Sequence, residues 1–200
     1  WLNSTCTTEE IHRDMYIESP IAHPSAIVRA STIKSVNGYR SGNFPEDYDL
    51  WLRLHHGGRQ FLKVPEVLFE WRESPGRLSR VDSRYSLDAF RTLKAHHLAS
   101  NVIEKGEDVQ IWGAGDDGKK WRKALLEQNI EVSRYFDVDP RKIGGHIAGK
   151  VPVLHWEELK SYRNSMLTLG AVGSKGARSL IRKALPDLGL VENENFLFVQ

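Results

Sequence analysis

The chain has 200 residues with 28 Lys and Arg against 26 Asp and Glu, and its net charge of +2 is too weak to indicate a nucleic-acid-binding protein. With 40% apolar and 27% charged residues the composition is that of a folded chain, and we expect about two small soluble domains. The single cysteine, Cys6, excludes an internal disulfide framework, and no apolar run reaches the roughly 18 residues of a transmembrane helix.

The first hundred residues predict short helices and strands. Thr7 and Glu10 have the spacing of a capping box, which predicts a helix that continues to about residue 16. A β-rich run at 26–28 is followed by a helical turn at 31–36. The other predicted elements of this half are a helix over 46–55, strands over 61–64 and 67–71, a turn at 74–76 and a linking helix over about 82–100.

The helix over 46–55 is the most informative of these elements. It opens directly after a proline and carries Glu46, Asp47 and Asp49 in its first turn, where the helix dipole favours negative charge. A carboxylate held ionised at a helix N-terminus is a candidate general base. The simpler interpretation is that three acids only stabilise the helix start. Arg53 is placed to pair with Asp49 four residues earlier, and we expect no further role for it.

Four short motifs occur in order along this half of the chain. They are His23-Pro24-Ser25, Asn37-Gly38-Tyr39-Arg40, Glu46-Asp47 and the segment that runs from Trp71-Arg72 to Ser79. Their succession resembles the C-terminal half of the catalytic domain of family-2 glycosyltransferases, an inverting class with a GT-A fold. The resemblance covers about residues 17–80. It depends on the order and spacing of the motifs, since none of them is specific alone.

The resemblance implies roles for four residues. Asp47 matches the acid that takes the proton of the acceptor hydroxyl, while that hydroxyl attacks the anomeric carbon and a nucleoside diphosphate leaves from the opposite face. Glu46 would bind the acceptor or orient Asp47, although helix capping explains it equally well. His23 would contact the substrate, against a purely structural role. Arg72 would stabilise the leaving diphosphate.

The resemblance also implies that the donor site lies elsewhere. Family members carry a nucleotide-binding βαβ half with an Asp-x-Asp metal motif before the matched region, and this chain opens at Trp1 without a methionine. The letters at 47–49 fit that motif but fall at a helix start, and adjacent histidines at 55–56 and 96–97 point about 100° apart on a helix. We therefore expect no metal in this chain, and Mg²⁺ or Mn²⁺ on an upstream motif of the intact enzyme. Its expected partners are a nucleotide-sugar donor and a saccharide acceptor.

The second half of the chain alternates strands and helices. A strand at 109–112 leads into a G-x-G-x-x-G turn and a helix over 119–128, and the next strand, over 132–136, ends in Asp137. Strands at 167–172 and 196–199 flank a helix over 176–185. This order indicates a small Rossmann-like, doubly wound α/β domain. The fold class is thus α/β, with the C-terminal part of a GT-A domain at 1–100 and the Rossmann-like domain at 105–200.

The glycine turn predicts a cofactor site, because glycines let a pyrophosphate approach a helix N-terminus. Its members are Gly113, Gly115, Gly118 and Asp137. Asp116 and Asp117 stand in the same turn and repel phosphate. We therefore give equal weight to two alternatives: an accessory module with an empty site, and a module that binds a nucleotide or nucleotide-sugar. The stretch from 135 to 153 resembles nucleotide-fold domains found before sugar acyltransferases and appended to some glycosyltransferases.

Two functions therefore stay open. The first is a fragment of an inverting glycosyltransferase for cell-surface polysaccharide synthesis, located in the cytoplasm or at the inner face of the membrane. The second is a non-catalytic regulatory module, in which the C-terminal α/β domain binds a nucleotide or nucleotide-sugar.

Overall fold

The computed structural model describes residues 6–72 and 76–200, and the chain forms two compact units that meet in sequence between His97 and Leu98. The described part of the first unit is made of short helices. They are α1 (Thr8–Arg13), α2 (Ala30–Ser35), α3 (Glu46–His56), α4 (Leu78–Val81) and the first part of α5 (Leu87–Asn101), with 3₁₀ turns at His23–Ser25 and Ser83–Tyr85.

The predicted start of α1 is confirmed. The Glu10 N–H donates to Thr7 Oγ1 at 3.2 Å, and the Glu10 carboxylate accepts from the Thr7 N–H at 3.1 Å, which completes the capping box. The helix ends at Arg13, earlier than the predicted end near residue 16. The helical turn predicted at 31–36 is also present as α2.

Helix α3 forms the centre of the first unit. The helix predicted over 46–55 is confirmed with one added residue, and it stops at Gly57, after which the Arg59 N–H donates to the Leu54 carbonyl at 2.9 Å. Its N-cap, Pro45, has no side-chain hydrogen bond to offer the helix. Packing holds the helix instead, since burying a side chain such as Leu50 is worth about 2 kcal/mol.

The strands predicted in this half do not form. Residues 26–28, 61–64 and 67–71 are loop segments, and no strand occurs among residues 6–72 and 76–97. A strand must pair its N–H and C=O groups with a neighbour, and the described part of this unit provides none. Leu62 and Val67 are accordingly 82% and 91% exposed. The turn predicted at 74–76 falls largely on residues 73–75, which lie outside the described ranges.

The second unit is α/β and Rossmann-like, as the alternation of strands and helices predicts. One mixed six-stranded sheet has the order β3-β4-β2-β1-β5-β6, in which only the β3–β4 pair is antiparallel. The strands are β1 (Val109–Trp112), β2 (Val132–Asp137), β3 (His146–Ile147), β4 (Val151–His155), β5 (Thr168–Gly170) and β6 (Phe196–Phe198). The helices of this unit after α5 are α6 (Asp116–Leu126), α7 (Leu159–Tyr162) and α8 (Ala177–Leu188).

The strand order reverses at β1. From β1 the chain adds β2 and β4 on one side, then returns to add β5 and β6 on the other. Gln110 of β1 is fully buried and donates to Thr168 Oγ1 of β5 at 2.8 Å, which ties the two halves of the sheet together. In a doubly wound sheet such a reversal leaves a crevice at the carboxyl ends of the two strands, and ligands bind there.

Two details of this unit differ from the sequence-based expectation. Helix α6 begins at Asp116 with Gly115 as its N-cap, before the predicted start at 119, so both aspartates of the turn belong to the helix. The sequence pattern predicts no strand at 146–147 or 151–155, where the structure has β3 and β4. Pro152 is tolerated because β4 pairs with β2 only from Val153 onward, where the missing N–H is not needed.

Candidate functional site

The candidate base, Asp47, lies in the first turn of α3. Its side chain is half-buried, and its Oδ1 accepts the Tyr48 N–H at 2.8 Å. Burial raises the pKa of Asp47 above the ordinary carboxyl value, with a further rise from the charge of Glu46, against the lowering effects of the Tyr48 N–H and of His23. The result is a carboxylate whose proton affinity is higher than that of an exposed aspartate.

Glu46 is bound by a tyrosine that the sequence did not single out. The Tyr85 hydroxyl lies 2.9 Å from both carboxylate oxygens of Glu46 and donates to them. Burial, followed by the hydrogen bond to Glu46, raises the pKa of Tyr85 to about 12, so the phenol stays a donor at neutral pH. Glu46 is therefore fixed in position by a residue 39 positions away, which helix capping alone would not do.

His23 and Tyr39 form the other side of this cluster. His23 Nε2 lies 2.8 Å from the Tyr39 hydroxyl, and its ring meets Trp51 of α3 edge-on at 6.2 Å. Burial and then the charges of Asp47 and Glu46 raise the pKa of Tyr39 above its ordinary value. Tyr39 is 46% exposed, so a half-open surface carries two carboxylates, an imidazole and a phenol together.

A buried ion pair connects helix α3 to the turn that precedes Tyr39. Arg53 Nε donates to Asp49 Oδ2 at 2.8 Å, as its spacing predicts, and the rest of its guanidinium donates to the carbonyls of Val36 at 2.5 Å and Gly38 at 2.7 Å. Burial pushes the pKa of Asp49 up, but the hydrogen bonds from His97 and Arg53 outweigh it and leave that pKa below the ordinary value. Asp49 is thus a structural anion, distinct in role from Asp47.

Histidines form a second cluster in this unit, and one of them, His97, also contacts Asp49 through Nε2 at 3.0 Å. His12 Nδ1 lies 2.9 Å from His55 Nδ1, His56 Nε2 lies 2.7 Å from the Tyr16 hydroxyl, and the His56 ring stacks on His97 at 6.1 Å. Burial lowers the pKa of both His55 and His56 to about 4, with a smaller contribution from the neighbouring imidazoles. Across residues 6–72 and 76–200, no three His, Cys, Asp or Glu side chains are grouped to hold a metal ion.

Arg72, the residue predicted to stabilise the leaving diphosphate, has no described contact with this cluster. It is exposed at the end of the loop segment before residues 73–75, and no described contact links it to Asp47 or Glu46. Tyr39 and Tyr85 are the members that the sequence reasoning missed. Tyr39 stood inside a quoted motif and could have been found there, whereas Tyr85 has no sequence signal that connects it to Glu46.

A second candidate site is the crevice of the second unit. A cavity of ≈ 480 Å³ opens at the carboxyl ends of β1 and β5. Its charged lining consists of Asp116, Asp117, Asp137, Asp139 and Lys142. Its apolar walls come from Trp112 and Trp156, from Val138, and from the β5–α8 side of the sheet. The volume is that of a small-molecule site.

The three glycines of the predicted cofactor site differ in whether the structure has room for a side chain at their position. Gly113 has φ +121°, and a Cβ there would lie 2.6 Å from the Ala171 carbonyl oxygen. A Cβ at Gly118 would lie 1.9 Å from the Gly113 carbonyl oxygen, so this glycine allows α6 to approach β1. A Cβ at Gly115 would meet nothing within 4 Å, and its φ of −84° suits any residue. Gly115 lines the cavity, and no described protein atom fills the space beside it.

Asp137 sits at the end of β2, where the sequence places it. Its Oδ2 accepts the Ala114 N–H at 2.8 Å and Lys142 Nζ at 3.0 Å, and its Oδ1 accepts the Asp139 N–H at 2.9 Å. A carboxylate has about four acceptor positions. Three of them are used within the protein, which leaves one on Oδ1 for a hydroxyl.

None of the described helices is both long enough and apolar enough to cross a membrane. Similar solved structures include UDP-D-quinovosamine 4-dehydrogenase from Vibrio fischeri, at 20% identity and a TM-score of 0.36 over 42% of this chain and 73% of that one. Another is the Rex-family repressor RSP in complex with β-NADH, at 17% identity and a TM-score of 0.37 over 55% of this chain and 60% of that one. Likeness at this level carries no functional argument.

The chain matches no protein-family model. It is 34% identical over 73 residues to "Putative glycosyltransferase EpsE" of Bacillus subtilis (strain 168), covering 35% of this chain and 26% of EpsE. It is 29% identical over 66 residues to "Amylovoran biosynthesis glycosyltransferase AmsE" of Erwinia amylovora, covering 33% of this chain and 25% of AmsE. The chain thus spans about a quarter of the length of these curated relatives. These partial similarities support a relationship to bacterial glycosyltransferases.

Proposed function

We propose that this chain is part of an inverting glycosyltransferase of the family-2, GT-A type, which moves a sugar from a nucleotide-sugar to a saccharide acceptor. The observation that carries the proposal is the half-buried Asp47 carboxylate, whose pKa is raised and which shares its surface with His23, Tyr39 and Glu46. The partial similarity to EpsE and AmsE supports the same function and suggests polysaccharide synthesis. We place the reaction in the cytoplasm or at the inner face of the membrane.

In this proposal Asp47 is the general base. As the acceptor oxygen forms its bond to the anomeric carbon, its proton passes to the Asp47 carboxylate. The bond between that carbon and the phosphate oxygen breaks, and the nucleoside diphosphate leaves with the electron pair on the opposite face. A base works best when its pKa approaches the working pH, so the upward shift that burial gives Asp47 favours this role.

The neighbouring groups position the acceptor. Glu46, held by Tyr85, offers a fixed carboxylate to a second sugar hydroxyl. His23 and Tyr39 share one hydrogen bond and leave the exposed edge of the phenol for the saccharide. Arg72 would stabilise the leaving diphosphate, the role that the family resemblance implies for it. We assign the donor's Mg²⁺ or Mn²⁺ to residues of the intact enzyme other than these.

The test is transfer itself. The protein that carries this chain is incubated with a panel of nucleotide-sugars and with oligosaccharide acceptors, and release of nucleoside diphosphate is followed. The anomeric configuration of the first product is then read by proton NMR. Acceptor-dependent release with an inverted product is the expected result. A product that keeps the donor's configuration would remove the single-displacement mechanism and the base role of Asp47.

The cavity of the second unit favours a second candidate function. Its position at the β1–β5 reversal and the open space at Gly115 are what a nucleotide-binding regulatory module would show. Gly113, Gly118 and Asp137 would then shape the turn around the ligand, and Gly115 would contact it. Nothing in the cavity supplies a catalytic group for hydride chemistry, so we propose binding without catalysis for this unit.

A further inference from the structure

The cavity of the second unit has an aromatic wall. Trp112 at the end of β1 stacks on Trp156 with ring centroids 5.7 Å apart and an angle of 15° between the planes, and both line the cavity. Val138, Val172 and Leu180 line it as well. Such a wall binds flat rings through burial of apolar surface and stacking.

The glycine turn beside this wall is electrostatically unlike a phosphate site. Asp116 and Asp117 form the first turn of α6 and face the cavity, where the amides of the helix start would otherwise meet a phosphate. The Asp117 carboxylate reaches the opposite loop, because its Oδ2 lies 2.6 Å from where a Cβ on Gly173 would stand. A carboxylate beside the phosphate position repels a phosphate, because both groups carry negative charge.

The lysine in the cavity does not offset these charges. Lys142 Nζ lies 3.0 Å from Asp137 Oδ2 and 3.9 Å from Asp139 Oδ2, so its charge is already shared between two carboxylates. Lys119 lies 3.6 Å from Asp116, and both side chains are mostly exposed, so solvent screens the charge of Asp116 as well as that of Lys119 and the repulsion comes mainly from Asp117. The lining therefore has a net negative charge at the point where a dinucleotide places its pyrophosphate.

The sugar-binding part of such a site is intact. Asp137 stands at the end of β2, the position from which an acid binds a ribose hydroxyl in this fold, and one acceptor position of its Oδ1 is open. Gly115 lines the same cavity, and a Cβ on it would meet nothing within 4 Å. The base and ribose subsites are thus present, whereas the phosphate subsite is occupied by carboxylates.

We propose that this cavity selects a phosphate-free ligand, a nucleoside or similar heteroaromatic glycoside that is neutral or positively charged at the atom next to the glycine turn. The proposal rests on ligand binding by this unit, as in the second candidate function, and replaces the nucleotide by a ligand without a phosphate. The aromatic ring lies against the Trp112–Trp156 wall, a hydroxyl donates to Asp137, and the substituent that would be a 5′-phosphate in a nucleotide meets Asp117.

Three compounds that differ only at the 5′ position test the charge preference. They are 5′-amino-5′-deoxyadenosine, adenosine and AMP, which place a positive, a neutral and a negative group at the glycine turn, with the uridine series run in parallel. Binding to the 200-residue chain is measured by calorimetry and by tryptophan fluorescence. We expect the amine to bind most tightly, adenosine next, and AMP, NAD⁺ and UDP-sugars at least tenfold more weakly than adenosine.

Variants test whether the charge preference comes from the aspartates of the cavity. The double change Asp116→Asn with Asp117→Asn should raise the affinity for AMP at least tenfold and remove the preference for the amine, whereas Asp187→Asn, an exposed aspartate outside the cavity, should change neither. Gly115→Val should abolish binding of all three compounds while the thermal unfolding curve is kept. Equal affinities for adenosine and AMP would overturn the charge selection and leave the binding module standing. Binding by none of the compounds in either series would overturn both.

Discussion

Arg53 Nε donates to Asp49 Oδ2 over 2.8 Å, and the two side chains are only 8% and 2% exposed. The same guanidinium holds the carbonyls of Val36 and Gly38, the two residues that flank Asn37 in the turn before Tyr39. Asn37 and Gly38 both have positive φ, at 60° and 68°, so this turn needs support from outside its own backbone. One ion pair therefore connects the helix of the candidate base to the turn that places Tyr39 beside it.

The first prediction concerns this pair. Asp49→Asn leaves the Arg53 guanidinium buried without its counter-charge, and we expect the free energy of unfolding of the first unit to fall by about 3–5 kcal/mol. Urea unfolding measures the loss, and faster hydrogen exchange of the amides at 36–39 localises it. Glu66→Gln is the control, since that carboxyl is exposed and its change should cost less than about 0.5 kcal/mol. Equal stability of the two variants would contradict the structural role.

The second prediction tests whether Asp47 faces Tyr39 without relying on activity. After burial, the charge of Asp47 is the largest cause that raises the pKa of Tyr39. Asp47→Asn removes that charge and should therefore lower the pKa of Tyr39 toward its ordinary value. The measurement is an NMR titration of ¹³C-labelled tyrosine rings, with the Tyr39 signal assigned by Tyr39→Phe. If the pKa of Tyr39 is the same in the variant, the Asp47 carboxylate does not lie close enough to Tyr39 to act on it.

The third prediction concerns acid stability. In the folded chain His55 and His56 have pKa values of about 4, whereas unfolded imidazoles titrate near 6.5. Below about pH 6.5 the unfolded state binds protons that the folded state does not, so the free energy of unfolding should fall between about pH 6.5 and 4. His56→Gln should flatten this slope. A slope that stays the same in the His56 variant would mean that its imidazole is not held neutral by the fold.

The fourth prediction separates the glycines of the turn. Gly118→Ala forces a Cβ to within 1.9 Å of the Gly113 carbonyl, so α6 must move away from β1, and we expect a loss of about 2 kcal/mol or more. Gly115→Ser meets open space and puts a good N-capping residue at the start of α6, so its stability should stay within about 0.5 kcal/mol of the original. Thermal unfolding of both variants checks the contrast. A large loss of stability in Gly115→Ser would show that the space beside Gly115 is not open, which would contradict its assignment to a ligand.

Local patterns in the sequence predict much of this structure. The capping box at Thr7, the glycine stop of α3 and the alternation of the second half each depend on residues close together in the chain, and all three are confirmed. The strands predicted at 61–64 and 67–71 are wrong for a different reason. Their β-rich composition is real, but a strand also needs a partner, and composition carries no information about one.

The candidate sites show the same limit. The position of Asp47 and Glu46 at a helix start identifies them as candidate site residues. Tyr85 is 39 positions away from Glu46 in the chain, and no sequence pattern predicts their contact. In the second unit the glycine turn and Asp137 follow from spacing, whereas the contact between Trp112 and Trp156 depends on β4, a strand that the sequence pattern does not predict. Long-range contacts of this kind require the fold.

The most direct test of the proposed transferase is Asp47→Asn in the protein that carries this chain, with Asp108→Asn as an exposed control of the same chemistry. The asparagine keeps the shape and cannot accept the acceptor proton, so transfer should fall by at least a hundredfold, in the range expected for loss of a general base. Affinity for the nucleotide-sugar, measured by calorimetry, should stay nearly unchanged. A variant that transfers sugar at more than a few per cent of the original rate would contradict the account of Asp47 as the base.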